Sequence, residues 1–142
     1  MEIRKQAQSA YYIRYHMVFV TKYRRKALVD GMGEYCIGIL RRICKQYPDL
    51  KIYEAKCDKD HIHFLISIPP KWSISQAVNI LKSNSSKAMR RKFPFVSVLY
   101  DRHVGFWSDG YFVSTIGLNE EQISNYIKHQ GKEDSGQALL VV

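Results

Sequence analysis

Apolar and polar positions along this chain change period several times, and each change marks an element. Residues 11–20 (Tyr-Tyr-Ile-Arg-Tyr-His-Met-Val-Phe-Val) are rich in aromatic and β-branched types and predict a strand. From Asp30 to about Tyr47, Tyr35, Ile39, Leu40 and Ile43 recur at helical spacing, and Pro48 closes that helix. Residues 50–57 and 61–68 read as two strands around the polar turn Asp58-Lys59-Asp60, a β-hairpin stopped by Pro69-Pro70. A second helix is predicted from Ser73 to about Lys92. Its buried side carries Ile74, Ala77, Val78, Leu81 and Ala88, and its other side Lys82, Ser83, Ser85, Ser86, Lys87, Arg90 and Arg91. One further strand is expected within 104–116, with Phe106, Trp107, Tyr111 and Phe112 around Asp109-Gly110. A last helix is expected from Asn119, where Asn119 and Gln122 resemble a capping box. The order strand, helix, strand, strand, helix, strand, helix predicts an α+β, ferredoxin-like sandwich: a mainly antiparallel sheet with helices on one face.

At 142 residues the chain is expected to form one domain around one core, with the tail after Gly131 either mobile or packed on a partner. No apolar run approaches the roughly 20 residues of a membrane-spanning helix, and no apolar segment follows the basic N-terminus as in a signal peptide. A cytoplasmic protein without a membrane partner is the expectation. Cys36, Cys44 and Cys57 form no CxxC pair, so they are expected to be free thiols rather than a zinc site.

Charge changes the picture more. Lys and Arg total 22 against 13 Asp and Glu, a formal net charge of +9. A polyanion would balance it, and nucleic acid is the commonest such partner. Single strands are bound by cations interleaved with aromatic faces. Arg14, Lys22, Arg24, Arg25 and Lys26, with Tyr23 among them, are the first candidates. Lys82, Ser83, Ser86, Lys87, Arg90 and Arg91 are the second set. A merely solvated face is the competing reading for each.

Two places suggest chemistry. On the strand 61–68 alternate side chains share a face, so Ile62, Phe64, Ile66 and Ile68 are predicted to enter the core. His61 and His63 then point the other way, roughly 6.6 Å apart along the backbone. Two imidazoles so placed can share a divalent cation and leave positions open for substrate oxygens. A solvated pair fits the pattern equally well. His16, His103 and His129 lack such pairing and read as surface or satisfied core histidines. On the last helix, Tyr126 and Gln130 lie one turn apart and share a face. A phenol there could attack phosphorus beside a cation such as Mg²⁺ or Mn²⁺, or it could simply be one packing tyrosine among ten.

The series as a whole is more specific than any part. His-Met-Val-Phe-Val-Thr-Lys-Tyr-Arg-Arg-Lys (16–26), Asp-His-Ile-His-Phe-Leu-Ile-Ser-Ile-Pro-Pro (60–70), Leu-Lys-Ser-Asn-Ser-Ser-Lys (81–87), Trp-Ser-Asp-Gly-Tyr-Phe-Val-Ser-Thr-Ile-Gly (107–117) and Tyr-Ile-Lys-His-Gln (126–130) occur in that order. Together they resemble the single-tyrosine HUH transposases of small bacterial insertion sequences, the IS200-like type. The resemblance implies an HUH endonuclease-type fold in which His61 and His63 are metal ligands, Gln130 is the third ligand and Tyr126 is the nucleophile. It implies cleavage and rejoining of single-stranded DNA at element ends through a 5′-phosphotyrosine, with recognition of subterminal hairpins. It also implies a homodimer in which Tyr126 can serve the partner's site. A domesticated, repeat-associated relative would carry the same residues. Two other readings stay in view: an HUH nicking enzyme, and a non-enzymatic single-strand-binding module on a ferredoxin-like sheet.

Overall fold

The alternation read along residues 61–68 governs the fold. The structure, a computed structural model, describes residues 3–6, 9–11, 13–115, 125 and 127–129. Its central sheet is antiparallel, in the order β4-β5-β3-β6. The strands are β3 (Arg14–Val20), β4 (Lys51–Cys57), β5 (His61–Ser67) and β6 (Phe112–Ser114). The helices are α1 (Met32–Gln46), α2 (Ile74–Lys92) and α3 (Pro94–Leu99). The α+β architecture with its antiparallel sheet is therefore as predicted, but the helices are not confined to one face, since the helical residues 127–129 pack Ile127 on Val18 and Val20 on the other.

The main core lies between one sheet face and the two long helices. Met17 and Phe19 of β3 and Ile62, Phe64 and Ile66 of β5 meet Cys36, Ile39, Leu40 and Ile43 of α1 and Ala77, Val78, Leu81 and Met89 of α2. All four isoleucine and phenylalanine positions predicted for the core of the second hairpin strand are buried, Ile68 included. α1 approaches β4 closely at Gly33, where an added Cβ would lie 2.5 Å from Cys57 Sγ. The second helix begins where expected, with a full capping box: Gln76 N donates to Ser73 Oγ at 3.0 Å and Ser73 N donates to Gln76 Oε1 at 2.9 Å.

Four further expectations need correction. The first predicted strand does not run unbroken from residue 11. Tyr11 belongs to a separate hairpin, β1 (Arg4–Gln6) with β2 (Ser9–Tyr11), and β3 starts at Arg14. That hairpin gave no apolar alternation. It is tied down instead by Arg4, whose guanidinium donates to the Pro48 and Asp49 carbonyls and to Ser67 Oγ. The strand expected over 104–116 shrinks to Phe112–Ser114; Phe106 and Trp107 are buried in the core, and Trp107 makes only an isolated bridge to Thr21. α3 was not foreseen; Pro94 stands in its first turn, where a missing N–H costs nothing. Finally, Ser85 is fully buried, not on the solvated side of α2, since it follows Leu81 by one turn. The capping residues Asn119 and Gln122 and the tail after Gly131 lie outside the described residues.

Candidate active site

The face of the sheet away from α1 and α2 is where the chemistry-bearing residues gather. Alternation and register put Arg14, His16, Val18 and Val20 of β3 beside His61, His63 and Leu65 of β5. Val20 pairs with His61 and Val18 with His63. Val18 and Val20 are buried here against Ile127, from the helical residues 127–129, with Phe112 of β6 alongside. The last helical segment thus seats on the sheet directly beside the two histidines. Tyr126 and Gln130, its two candidate residues, lie outside the described residues.

The His61 and His63 rings have centroids 5.9 Å apart, tilted by 47°. Two rings sharing a cation at about 2.1 Å per nitrogen have centroids no more than about 6.5 Å apart, so the pair is within reach of one ion. Nitrogen donors of this kind, with positions left for oxygen, fit Mg²⁺ less closely than Mn²⁺ but exclude neither. Among the described residues no three His, Cys, Asp or Glu side chains converge.

His61 is held by its neighbour. Its Nδ1 lies 2.8 Å from Asp60 Oδ1, and Asp60 Oδ2 lies 3.4 Å from Arg24 Nε. Partial burial pushes the Asp60 carboxyl up, but the hydrogen bond and charge of His61 and the charge of Arg24 outweigh it and hold the group below the ordinary carboxylate value. The ionised carboxylate can only accept, so the proton between the two groups sits on His61 Nδ1. Asp60 had been read only as a turn residue; its place immediately before the histidine pair was the available signal. Lys56 was also passed over. It is the register partner of His63 and is exposed, as counting outward from the hairpin turn would have shown.

The basic candidates separate into two kinds. Lys22, Tyr23, Arg24, Arg25 and Lys26 lie on the turn that follows β3, at the histidine end of the sheet. Tyr23 and Arg24 adopt left-handed backbone (φ 57° and 52°), a strained arrangement for non-glycine residues. The turn is pinned by Lys22 N donating to Phe106 O and by Tyr100 OH donating to Lys22 O at 2.6 Å. The Tyr23 ring is exposed beneath the Arg25 guanidinium at 4.9 Å, and Lys26 is exposed. Lys22 pairs with Asp109 at 3.3 Å, and Arg14 stacks on Tyr53 at 3.9 Å.

On α2, Lys82 Nζ donates to the carbonyls of Ser108 and Gly110 at 2.6 and 2.7 Å, and Arg90 donates to those of Tyr100, Asp101 and Val104. Both are therefore engaged in holding loops. Ser83 Oγ turns back to Asn79 O, Ser86 is half-buried, and Lys87 and Arg91 are exposed. His103 is exposed as expected. His129, read as surface or satisfied, has a buried Nδ1 with no hydrogen-bond partner among the described residues.

The family model for Transposase IS200 like matches residues 9–130. This chain belongs to the IS200-like transposase family. It is 41% identical over 136 residues to the transposase of insertion sequence element IS200 from Salmonella typhimurium strain LT2, covering 95% of this chain and 88% of that one. The ISDra2 transposase TnpA of Deinococcus radiodurans is 30% identical over 133 residues, 92% of each chain. A crystal structure of a Deinococcus radiodurans R1 protein assigned as a transposase superposes with a TM-score of 0.76 at 30% identity, over 89% of this chain and 97% of that one. A REP-associated tyrosine transposase bound to a REP hairpin shares the fold at a TM-score of 0.53 and 12% identity, over 94% of this chain and 74% of its own. An IS200-like transposase is a DNA-cleaving enzyme of DNA transposition, with DNA as its partner. Of the readings the sequence left open, the family supports the transposase. No helix among the described residues is long and apolar enough to cross a membrane.

Proposed function

We propose that this IS200-like transposase cuts and rejoins single-stranded DNA at insertion-sequence ends through a phosphotyrosine link to Tyr126. The phenolic oxygen of Tyr126 attacks phosphorus, the bond to the 3′ oxygen breaks, and the DNA is left joined to the protein by its 5′ phosphate. Attack by a 3′ hydroxyl reverses the step and releases the phenol. A phenol, with a pKa of about 10, leaves far more readily than an aliphatic alcohol, which makes the link a transferable one.

His61 and His63 would hold a divalent cation, Mg²⁺ or Mn²⁺, with Gln130 as third ligand. Such a cation, when bound, supplies charge to draw electron density off a non-bridging phosphate oxygen. The observation that carries the reading is the packing of Ile127 on Val18 and Val20, the register partners of His63 and His61. It brings the chain beside position 126 to the histidine face rather than to the helical face. Lys56, Lys26 and Tyr23 are exposed around the same end and suit the phosphates and bases of an unpaired strand. Subterminal hairpins as the recognised DNA and a homodimer as the working form belong to the same proposal.

Covalent capture tests it. Labelled single strands from the flanks of the gene are incubated with wild-type protein or Tyr126→Phe, with Mg²⁺ or EDTA, and run on a denaturing gel. A shifted adduct requiring both Tyr126 and the cation is expected. An adduct of equal yield from Tyr126→Phe would remove that residue from the mechanism.

A further inference from the structure

We propose that Asp60, itself held by Arg24, is a positioning residue that fixes the tautomer and ring orientation of His61 so that Nε2 faces the cation. The inference rests on the metal reading above. Three contacts in series carry it. His61 Nδ1 meets Asp60 Oδ1 at 2.8 Å, Asp60 Oδ2 meets Arg24 Nε at 3.4 Å, and the Asp60 carbonyl accepts from Thr21 N at 3.0 Å. The last of these anchors the backbone of Asp60, from which the carboxylate reaches the ring, to a fully buried residue.

The turn that delivers Arg24 is strained in a way a solvated loop would relax. Two consecutive non-glycine residues, Tyr23 and Arg24, hold positive φ. Such strain persists only where surrounding contacts over-determine it. Here Arg24 N donates to Thr21 O at 2.8 Å, the Thr21 hydroxyl donates to Arg25 O at 2.6 Å, and the Tyr100 hydroxyl closes on Lys22 O. The result is that Arg24, though exposed, sets its Nε against the Asp60 carboxylate. A carboxylate on the far nitrogen of a ligating imidazole fixes which nitrogen meets the metal and raises its basicity. Removing such a partner commonly weakens metal binding about 10- to 100-fold.

The test uses the full chain and Mn²⁺ alone, without DNA. Free Mn²⁺ is followed by its electron paramagnetic resonance signal during titration of wild type, Asp60→Asn, Arg24→Gln and His61→Ala. Asp60→Asn should weaken binding about 10- to 100-fold, Arg24→Gln by a smaller factor, and His61→Ala most of all. Long-range ¹H–¹⁵N spectra of the metal-free proteins supply the second readout. His61 should carry its proton on Nδ1 in the wild type. In Asp60→Ala it should move toward the Nε2–H form that free imidazole side chains prefer. Wild-type affinity and an unchanged tautomer in the Asp60 variants would overturn the proposal while leaving the metal reading intact. Failure of the wild type itself to bind Mn²⁺ would overturn both, and that outcome is visible before any variant is compared.

Discussion

Trp107 donates its indole hydrogen to Ser85 Oγ across 2.9 Å, and both residues are buried. This contact joins the middle of α2 to the segment that runs alongside the end of β3. Thr21 forms a bridge with Trp107, and Ser108 N donates to Val20 O at 2.7 Å. Ser85→Ala would remove the acceptor and leave a buried indole N–H unsatisfied, at a cost of about 1–3 kcal/mol. Denaturant unfolding should show that loss. Adding Trp107→Phe should cost less in the Ser85→Ala background than in the wild type, because the two share one interaction. Strict additivity would mean the hydrogen bond contributes nothing.

The same contact explains what the sequence could and could not reveal. Period-two alternation from Ile62 to Ile68 was readable because one face of β5 is dry, and it carried the histidine face with it. The bounds of α1 and α2 followed from apolar spacing and from Ser73 and Pro48. Ser85 stands one turn after the buried Leu81, but a hydroxyl on that face reads as solvated until its partner is known, and that partner, Trp107, lies 22 residues further along the chain. Asp60 and Lys56 were hidden differently. Lys56 looks like an ordinary polar residue of a hairpin until the register sets it against His63, and Asp60 looks like a turn residue until its carboxylate is seen on the His61 ring. The β1–β2 hairpin had no apolar signature to read, since Arg4 binds it to the body through carbonyls rather than through packing.

Gly33 should not tolerate a side chain. An alanine methyl would meet Cys57 Sγ at 2.5 Å and Cys57 Cβ at 3.1 Å. Overpacking of this kind commonly costs about 1–3 kcal/mol. Gly33→Ala is expected to lower stability by that order, and Cys57→Ala in the same chain should restore part of it by removing the sulfur while keeping the Cβ. Equal destabilisation with and without the sulfur would move the blame to the backbone of α1.

The cysteines set an alkaline limit on stability. Burial pushes the Cys36 thiol from an ordinary 9.0 up to about 12, with a smaller push from Cys57, and burial carries Cys44 to about 11. A thiol whose folded pKa exceeds its unfolded one favours the fold fully below pH 9 and loses that contribution as pH rises toward the folded value. Unfolding free energy should therefore fall more steeply between pH 9 and 11 in the wild type than in Cys36→Ala. Parallel curves would refute it. At pH 8 the native thiols should react slowly with a disulfide reagent, and all three cysteines should become reactive in denaturant.

Lys82 and Lys87 should part company when DNA binding and stability are measured together. Lys82 Nζ is committed to the Ser108 and Gly110 carbonyls, whereas Lys87 and Arg91 are exposed. Hydrogen bonds to a charged donor contribute about 1.5–3 kcal/mol, so Lys82→Met should destabilise the fold by that order. Lys87→Ala and Arg91→Ala should leave stability within about 0.5 kcal/mol. If either cation meets a phosphate, its removal should lower the slope of log affinity against log salt by about 0.7 on a single strand or about 0.9 on a hairpin stem. Filter binding at several salt concentrations, beside thermal melts, reads both quantities. A Lys82→Met protein of wild-type stability with a reduced salt slope would reverse the assignment, making Lys82 the DNA contact and its carbonyl bonds incidental.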